Sequence, residues 1–540
     1  MNQFDYIIVG AGAAGPVLAA RLSEDPQVQV ALLEAGKENT NDVGRMQGAF
    51  FHTWGSDMNW MYRSTPQPGL GGRSIDQPRG RVMGGSTAIN VGAWLRGCPA
   101  DYDAWEAAGA TGWNWQAALD IFQSIEDTDR GPNQWRGQGG PLRMQDLPTP
   151  TTFSDTLLQA FTQAGYGDMG DANGATPYVA DRYQTLFPEG VRRTPADAYL
   201  DAAARARPNL HIITEAMVTK VNVVGGRACG VTYNQSGVEQ VLEARREVIL
   251  CAGAFNTPQL LMLSGIGAAD HLRELGIACV IDAPGVGANL QDHVVVSVRG
   301  LAPAGVNVSY PYWAGPQDME QWRKDRTGPA SYWAQNGVGF VRTRSTSQGP
   351  DVELMFQYNP DTSQGVFDHV PDAASRSGYT IAVILLQPQS RGHVRLESNN
   401  PSVAPKIDPA YLSNRDDVLA LMEGVRAAQK MTATDALQPY TNELHPGMAA
   451  SNEALEDWIR KDAGIAFHPV GTARMGAKND PLAVVDPELR VKGVSGLRVV
   501  DASVFPSLIR GHTMAPTVML AERAADLIQA RHHGQRMPIS

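Results

Sequence analysis

The run with the most specific chemistry is Asp5-Tyr6-Ile7-Ile8-Val9-Gly10-Ala11-Gly12-Ala13-Ala14-Gly15, followed further on by Leu32-Leu33-Glu34-Ala35. Tyr6 to Val9 reads as a buried parallel strand. Gly10 permits a tight turn, and Gly12 lets the backbone approach a pyrophosphate across the small Ala13 and Ala14. Gly15 lets the next helix pack closely on the strand. The phosphates would sit at that helix's N-terminus, where free N–H groups and the dipole favour negative charge. Pro16 is tolerated there, because the first helical turn has no N–H partner to lose. Glu34 closes a second apolar run, Val30 to Leu33, and is placed to accept hydrogen bonds from a ribose 2′-hydroxyl. These residues alone fit an NAD enzyme and a flavoenzyme equally well.

The elements that must position this loop form a chain of 540 residues, too long for a single core, so two domains are expected. The net charge of −11 is spread out rather than blocked, which argues against a nucleic-acid partner. No apolar stretch approaches the roughly 18 residues of a membrane span. Cys98, Cys229, Cys251 and Cys279 stand far apart with no metal-ligand spacing, and read as buried or inert thiols of a reducing compartment. The first strand begins so near Met1 that no signal peptide is expected. The reading is therefore cytoplasmic, with peripheral placement at the inner membrane left open.

Strand-like alternation recurs over Asn209 to Val224, and Glu247 to Ala254 reads as a second buried strand entering a small-residue turn. A helix through Leu260 to Leu263 ends at Ser264-Gly265. Residues 54–73 are turn-rich and could be a lid or a surface loop. From about residue 300 to 460, short strands (338–341, 352–358, 380–386, 393–396) alternate with polar loops, suggesting an antiparallel sheet covered on one side. Leu497 to Asp501 reads as another buried strand, and about 516 to 530 as the last helix. Nucleotide-binding signals at both ends imply a discontinuous nucleotide domain (1–155, 208–300 and 462–540) interrupted by a substrate domain (156–207 and 301–461).

Further runs, in order, together resemble the glucose–methanol–choline family of flavin oxidoreductases. Gly80-Arg81-Val82-Met83-Gly84-Gly85-Ser86-Thr87-Ala88-Ile89-Asn90 is similar to that family's first signature, with Met83 where Leu, Ile or Val is usual. Gly253-Ala254-Phe255-Asn256-Thr257-Pro258-Gln259-Leu260-Leu261-Met262-Leu263-Ser264-Gly265-Ile266-Gly267 fits the second without departure. Pro284 to His293, Ser390 to Val394 and His468 to Thr472 also match. The resemblance implies an α/β fold, α+β overall, with a Rossmann-like FAD-binding domain of discontinuous segments. A substrate domain would carry an antiparallel sheet covered by helices.

It also implies FAD rather than NAD. Gly84, Gly85 and Ser86, with Arg81 beside them, would lie against the isoalloxazine and pyrophosphate. Asn90 and Val91 would pass near flavin N5, and the Val218 backbone would meet the adenine. Ala252 and Gly253 belong to the same binding set, and Asp501 and Ala502 would reach the phosphates and ribityl chain. Met514 and Ala515 would turn a helix N-terminus toward flavin N1 and O2, where its dipole stabilises the reduced flavin. Relatives with covalent FAD use a histidine where Ile89 stands, so a non-covalent flavin is expected. His468 matches the family's catalytic histidine, a general base suited to neutral pH. His512 matches the second active-site position and would hydrogen-bond the substrate oxygen. The other nine histidines, His532 and His533 included, read as structural or surface residues.

Departures from the pattern bear on substrate. Many bacterial members carry Asn at His512 and at Met514. Arg510 stands where a small residue is common and reads as solvent-facing, with an anionic substrate group as the alternative. Gln335 replaces the acid of choline-type relatives, removing the obvious counter-ion for a quaternary ammonium. Tyr310, Tyr312, Trp313 and Trp333 make the segment aromatic, with Tyr332, Trp333 and Gln335 the substrate-binding candidates. The expected reaction is FAD-dependent oxidation of an apolar or aromatic primary alcohol to an aldehyde. Electrons would pass to oxygen, a quinone or another acceptor. The alternatives are a choline dehydrogenase-type enzyme and an FAD-containing hydroxynitrile lyase without net redox.

Overall fold

The computed structural model describes residues 2–147, 151–310, 314–333, 335–360 and 375–532. Strand β1 (Gln3–Val9) is buried from Phe4 onward, helix α1 (Gly15–Leu22) follows, and β2 (Val30–Leu33) lies parallel to β1. Both strands are unbroken apolar runs because a parallel sheet is covered on both faces. Leu210–Ile213 pairs in parallel with β2, and Val238–Leu250 lies on the other side of β1. The latter strand changes character along its length. Exposed and buried residues alternate where it forms a hairpin with Arg227–Gln235, whereas Val248–Leu250 are buried throughout. There they lie between β1 and Leu497–Val499, which the chain supplies from its far end. Ala216–Val224 completes this seven-stranded sheet at its antiparallel edge. The last helix runs from Met514 to His532, starting two residues before the expected position, with Pro516 still in its first turn.

A second, eight-stranded sheet has the order Glu443–His445, Val294–Leu301, Gly378–Leu385, Val352–Gln357, Gln335–Val341, Val179–Arg182, Asp168–Met169, with Gly464–Ile465 paired to the start of Val294–Leu301. All its pairings are antiparallel except the last two strands of that order. The expectation of a sheet covered on one side needs correcting, since Gly378–Leu385 is buried along its whole length. Ile381, Val383 and Leu385 pack with Val418, Leu421 and Val425 of helix Arg415–Thr432. Ile384, on the opposite face, packs with Ala93 and Leu95 from the segment after the first signature. The turn-rich segment is likewise no loose loop. Tyr62–Arg63 pairs with Asp76–Gln77, and Gln67 and Leu70 are buried.

Among the described residues no helix is long and apolar enough to cross a membrane. Cys98 and Cys251 are buried, Cys229 is half-buried, and Cys279 is exposed. The helix Arg415–Thr432 therefore fixes the second sheet from behind, remote from the cavity described below. Leu421→Ala should lower stability by about 2–5 kcal/mol, the range for a fully buried leucine. Denaturant unfolding would measure the loss, with the substrate affinity of the folded fraction unchanged.

Candidate active site

A cavity of ≈ 550 Å³ lies where the carboxyl ends of the first sheet's parallel strands meet the second sheet. The first sheet and its loops contribute Gly10, Gly12, Ala13, Ala14, Glu34, Ala35, Val218, Ala252 and Gly253 to the wall. Gly85, Ser86, Asn90, Val91, His468, Asp501, Ala502, His512 and Met514 line it as well, with Trp333 and Gln335. Gly10 has φ +102°, and a Cβ there would come within 2.5 Å of the Cys251 carbonyl oxygen. A Cβ on Gly12 would meet nothing within 4 Å, so that glycine faces open space. The Gly84 N–H donates to the Ala11 carbonyl at 2.8 Å, and a Cβ on Gly85 would stand 2.7 Å from the Gly12 Cα. The two glycine turns, far apart in sequence, thus press together with no room for side chains between them. This is the cradle a pyrophosphate needs, with the N-terminus of α1 behind it.

Glu34 is buried, and its carboxylate accepts the Ala11 N–H at 2.9 Å and the Gly36 N–H at 2.8 Å. Burial pushes its carboxyl up to about 7, against the pull of those N–H groups and of Arg81. Each oxygen keeps a lone pair for a further donor. The Asp501 carboxylate receives Gly253 N–H at 2.9 Å, the Thr257 hydroxyl at 2.6 Å and Ser503 N–H at 2.8 Å. It thereby ties helix Gly253–Leu263 to the final strand. Arg81 is exposed, stands 4.9 Å over the Trp60 ring, and opens on a neighbouring cavity with Lys37 and Glu215. Gly15, Gly84 and Ala515 pack behind the wall, and Tyr332 packs on Tyr310 at 5.1 Å. Tyr312 and Trp313 lie outside the described residues.

The reactive end is a cluster of buried imidazoles. His468 follows Phe467, whose φ of +63° turns the chain, and its N–H donates to the Asp292 carboxylate at 2.7 Å. The Tyr411 hydroxyl donates to the other oxygen of Asp292 at 2.8 Å. The rings of His468 and His512 are 4.7 Å apart. His293, read from sequence as structural, touches His468 directly, Nδ1 to Nδ1 at 2.9 Å, while its Nε2 is 3.2 Å from the Leu386 carbonyl. A carbonyl only accepts, so Nε2 of His293 carries the proton and its Nδ1 carries the lone pair. His468 must then donate from Nδ1, which leaves its Nε2 bare. Burial, then the cationic influence of His512, His293 and Arg79, holds His468 well below the ordinary histidine value. Burial likewise lowers His293 to about 4. Both imidazoles are therefore neutral near pH 7.

His512 has a different partner. Its Nε2 lies 3.2 Å from Oε1 of Glu353, and the Tyr183 hydroxyl donates to the same oxygen at 2.7 Å. Glu353 is fully buried, and burial alone would raise its carboxyl. The charge and hydrogen bond of His512 and the Tyr183 hydroxyl outweigh that effect and hold it low. Glu353 carried a faint sequence signal, a lone acid in the apolar strand Val352-Glu353-Leu354-Met355-Phe356.

Phe50, Phe51, Trp54, Trp333 and Phe467 form an aromatic wall, with Phe50 and Trp333 centroids at 5.2 Å and Phe51 and Trp54 at 4.5 Å. Among the described lining residues Glu34 and Asp501 are the only acids, and neither belongs to this wall. Arg510 faces neither solvent nor substrate. Its guanidinium pairs at 2.5 Å with the buried carboxylate of Asp101, which also accepts the Arg510 N–H. A buried acid needs a cation, and that need decides where the side chain points.

Two family models described as GMC oxidoreductase match the chain, over residues 4–295 and 388–521. An alcohol dehydrogenase (acceptor) of Pseudomonas putida is 40% identical, covering 97% of this chain and 96% of the relative. The mitochondrial choline dehydrogenase of Mus musculus is 38% identical, covering 98% and 90%. The crystal structure of pyridoxine 4-oxidase from Mesorbium loti superposes with a TM-score of 0.88 at 31% identity, covering 99% and 100%.

His293 has a testable signature. It stays neutral to about pH 4 in the fold but titrates at 6.5 in the unfolded chain, so the unfolded state binds the extra proton in between. Stability should therefore fall as pH drops from 6.5 towards 4, by on the order of 3 kcal/mol for this group. Urea unfolding across that range should show a shallower slope in His293→Gln. An unchanged slope would exclude a neutral His293.

Proposed function

The chain belongs to the GMC oxidoreductase family, and from that premise we propose that it oxidises an uncharged apolar or aromatic primary alcohol to the aldehyde. FAD is the cofactor. The observation that carries the reading is the pair of His468 and His512 at one cavity wall, with His293 leaving Nε2 of His468 bare. When bound, FAD supplies a hydride acceptor at N5. The substrate C–H bond breaks with its electron pair leaving as hydride, and the O–H proton passes to Nε2 of His468 as the carbonyl forms. His512, backed by Glu353, hydrogen-bonds the substrate oxygen and steadies the negative charge that develops there.

On the cofactor side, Gly12 would let a pyrophosphate approach the backbone, with Gly85 packed against it, and Glu34 would accept from a ribose hydroxyl. The N-terminus of helix Met514–His532 would favour negative charge on a flavin held there. Ile89, which lines the cavity, has no nucleophile, and the cofactor is held without a covalent link. The aromatic wall excludes water, which strengthens every one of these polar contacts. Choline is the second reading. It is favoured by the relatives and by the affinity of aromatic faces for a quaternary ammonium, and opposed by the lack of a described acid at that wall.

Anaerobic addition of an aryl alcohol should bleach the flavin band near roughly 450 nm. Parallel runs with choline and with a cyanohydrin separate the competitors, the cyanohydrin cleaving without bleaching if the lyase reading holds. Repeating the aryl alcohol assay under air and with a dye acceptor identifies where electrons go. His468→Ala should lower kcat by about 10²–10⁴-fold with flavin still bound. Near-normal turnover in that variant would remove His468 from the reaction.

A further inference from the structure

One face of the second sheet carries a polar pair that the reaction above does not use. Gln335 stands directly opposite Gln357, Met355 opposite Ala382, and Ala382 opposite Ser297. Side chains two apart on a strand share a face, so Glu353, Met355 and Gln357 point the same way. Gln335, Gln357, Met355, Ala382 and Ser297 all line the cavity, while Glu353 lies beneath His512. At ~3.3 Å per residue, Met355 stands ~7 Å and Gln357 ~13 Å along the strand from Glu353. Moving away from His512, the face therefore offers an apolar step and then two amides.

Both amides are buried, with Gln335 3% and Gln357 7% exposed. Among the described residues, Oε1 of Gln335 has no hydrogen-bond partner. A buried polar atom left unpaired is unfavourable unless a ligand satisfies it. Primary amides donate and accept but carry no charge, so they match a neutral polar group and leave an ion without a counter-charge. We propose that Gln335 and Gln357 form a subsite for an uncharged hydrogen-bonding group, such as a hydroxyl or carbonyl, at the end of an aromatic alcohol remote from its reacting carbon. This inference rests on the alcohol oxidation proposed above. The apolar step would take the ring, with Trp333 beside Gln335 on the aromatic wall.

The test uses the holoenzyme and four benzyl alcohols bearing a para hydroxyl, methyl, carboxylate or trimethylammonium group. The hydroxyl compound should exceed the methyl compound about tenfold in kcat/KM, chiefly through KM, as one added hydrogen bond allows. Both charged compounds should be poorest. Binding of 4-hydroxybenzaldehyde and 4-methylbenzaldehyde, read from the flavin absorbance, should show the same ratio without turnover. Gln335→Leu and Gln357→Leu should each bring the hydroxyl-to-methyl ratio within about twofold. Gln357→Glu should raise the trimethylammonium compound relative to the methyl one. Equal handling of hydroxyl and methyl by the unaltered enzyme, or a ratio that survives both leucine variants, overturns the subsite while leaving alcohol oxidation standing. A flavin reduced by none of the four overturns the underlying oxidation reading instead.

Discussion

The hydrogen bond between the Nδ1 atoms of His293 and His468, 2.9 Å apart, constrains everything at the reactive end of the cavity. Two identical ring atoms can share a proton only if one ring is the donor, and the Leu386 carbonyl decides which. The arrangement requires a neutral His293, because a proton on its Nδ1 would place two N–H groups nose to nose, whereas a proton added at Nε2 of His468 leaves the bond intact. Burial supplies that condition by disfavouring the charged forms. A base in solution would be protonated over part of the neutral range. Here the dry surroundings trade basicity for a lone pair that is always available and always points the same way.

A few ångströms away the same dryness is used in the opposite sense. Glu353 is as buried as His293, yet its carboxylate is kept by His512 and the Tyr183 hydroxyl. One imidazole is thereby associated with a neutral partner and its neighbour with an anion. This division suits a reaction that must remove a proton at one nitrogen and offer a hydrogen bond from another, and identical solvated histidines could not be told apart in that way.

The sequence made some of this legible and hid the rest, for physical reasons that differ by residue. Gly10 and Gly15 were readable because a positive φ at the one and the close approach of the Gly10 carbonyl to the other are demands a few residues long. The contact between Gly85 and Gly12 needed the family resemblance, since nothing local says that two distant turns will meet. His468 and His512 were likewise found through matched runs. His293 sat in such a run, yet its role depends on the orientation of a second ring. Glu353 comes from a strand whose pairing no local pattern announced, Tyr183 sits in the break between Val179–Arg182 and Gln184–Thr185, and Arg510 was misjudged because its partner Asp101 is remote in the chain. Periodicity foretold three strands of the second sheet (338–341, 352–358 and 380–386), while 393–396 pairs in a separate two-stranded sheet, and it understated burial because one covering segment, around Ala93 and Leu95, is remote in the chain.

That burial on both faces has a consequence for how the enzyme can change. The residues around His468 are held by loops whose backbone and side chains are already committed, as in the Asp292–Tyr411 contact beneath it. The sheet face opposite is different, because each position there is one side chain on a strand whose backbone bonds do not depend on it. Gln335, Met355 and Gln357 line the cavity from that face and none is a hydrogen-bond partner of His468. Helix Arg415–Thr432 keeps that face in register from behind. The fold thus sets the tightly tied surroundings of His468 apart from the sheet face opposite, where side chains line the cavity from strands paired through their backbones.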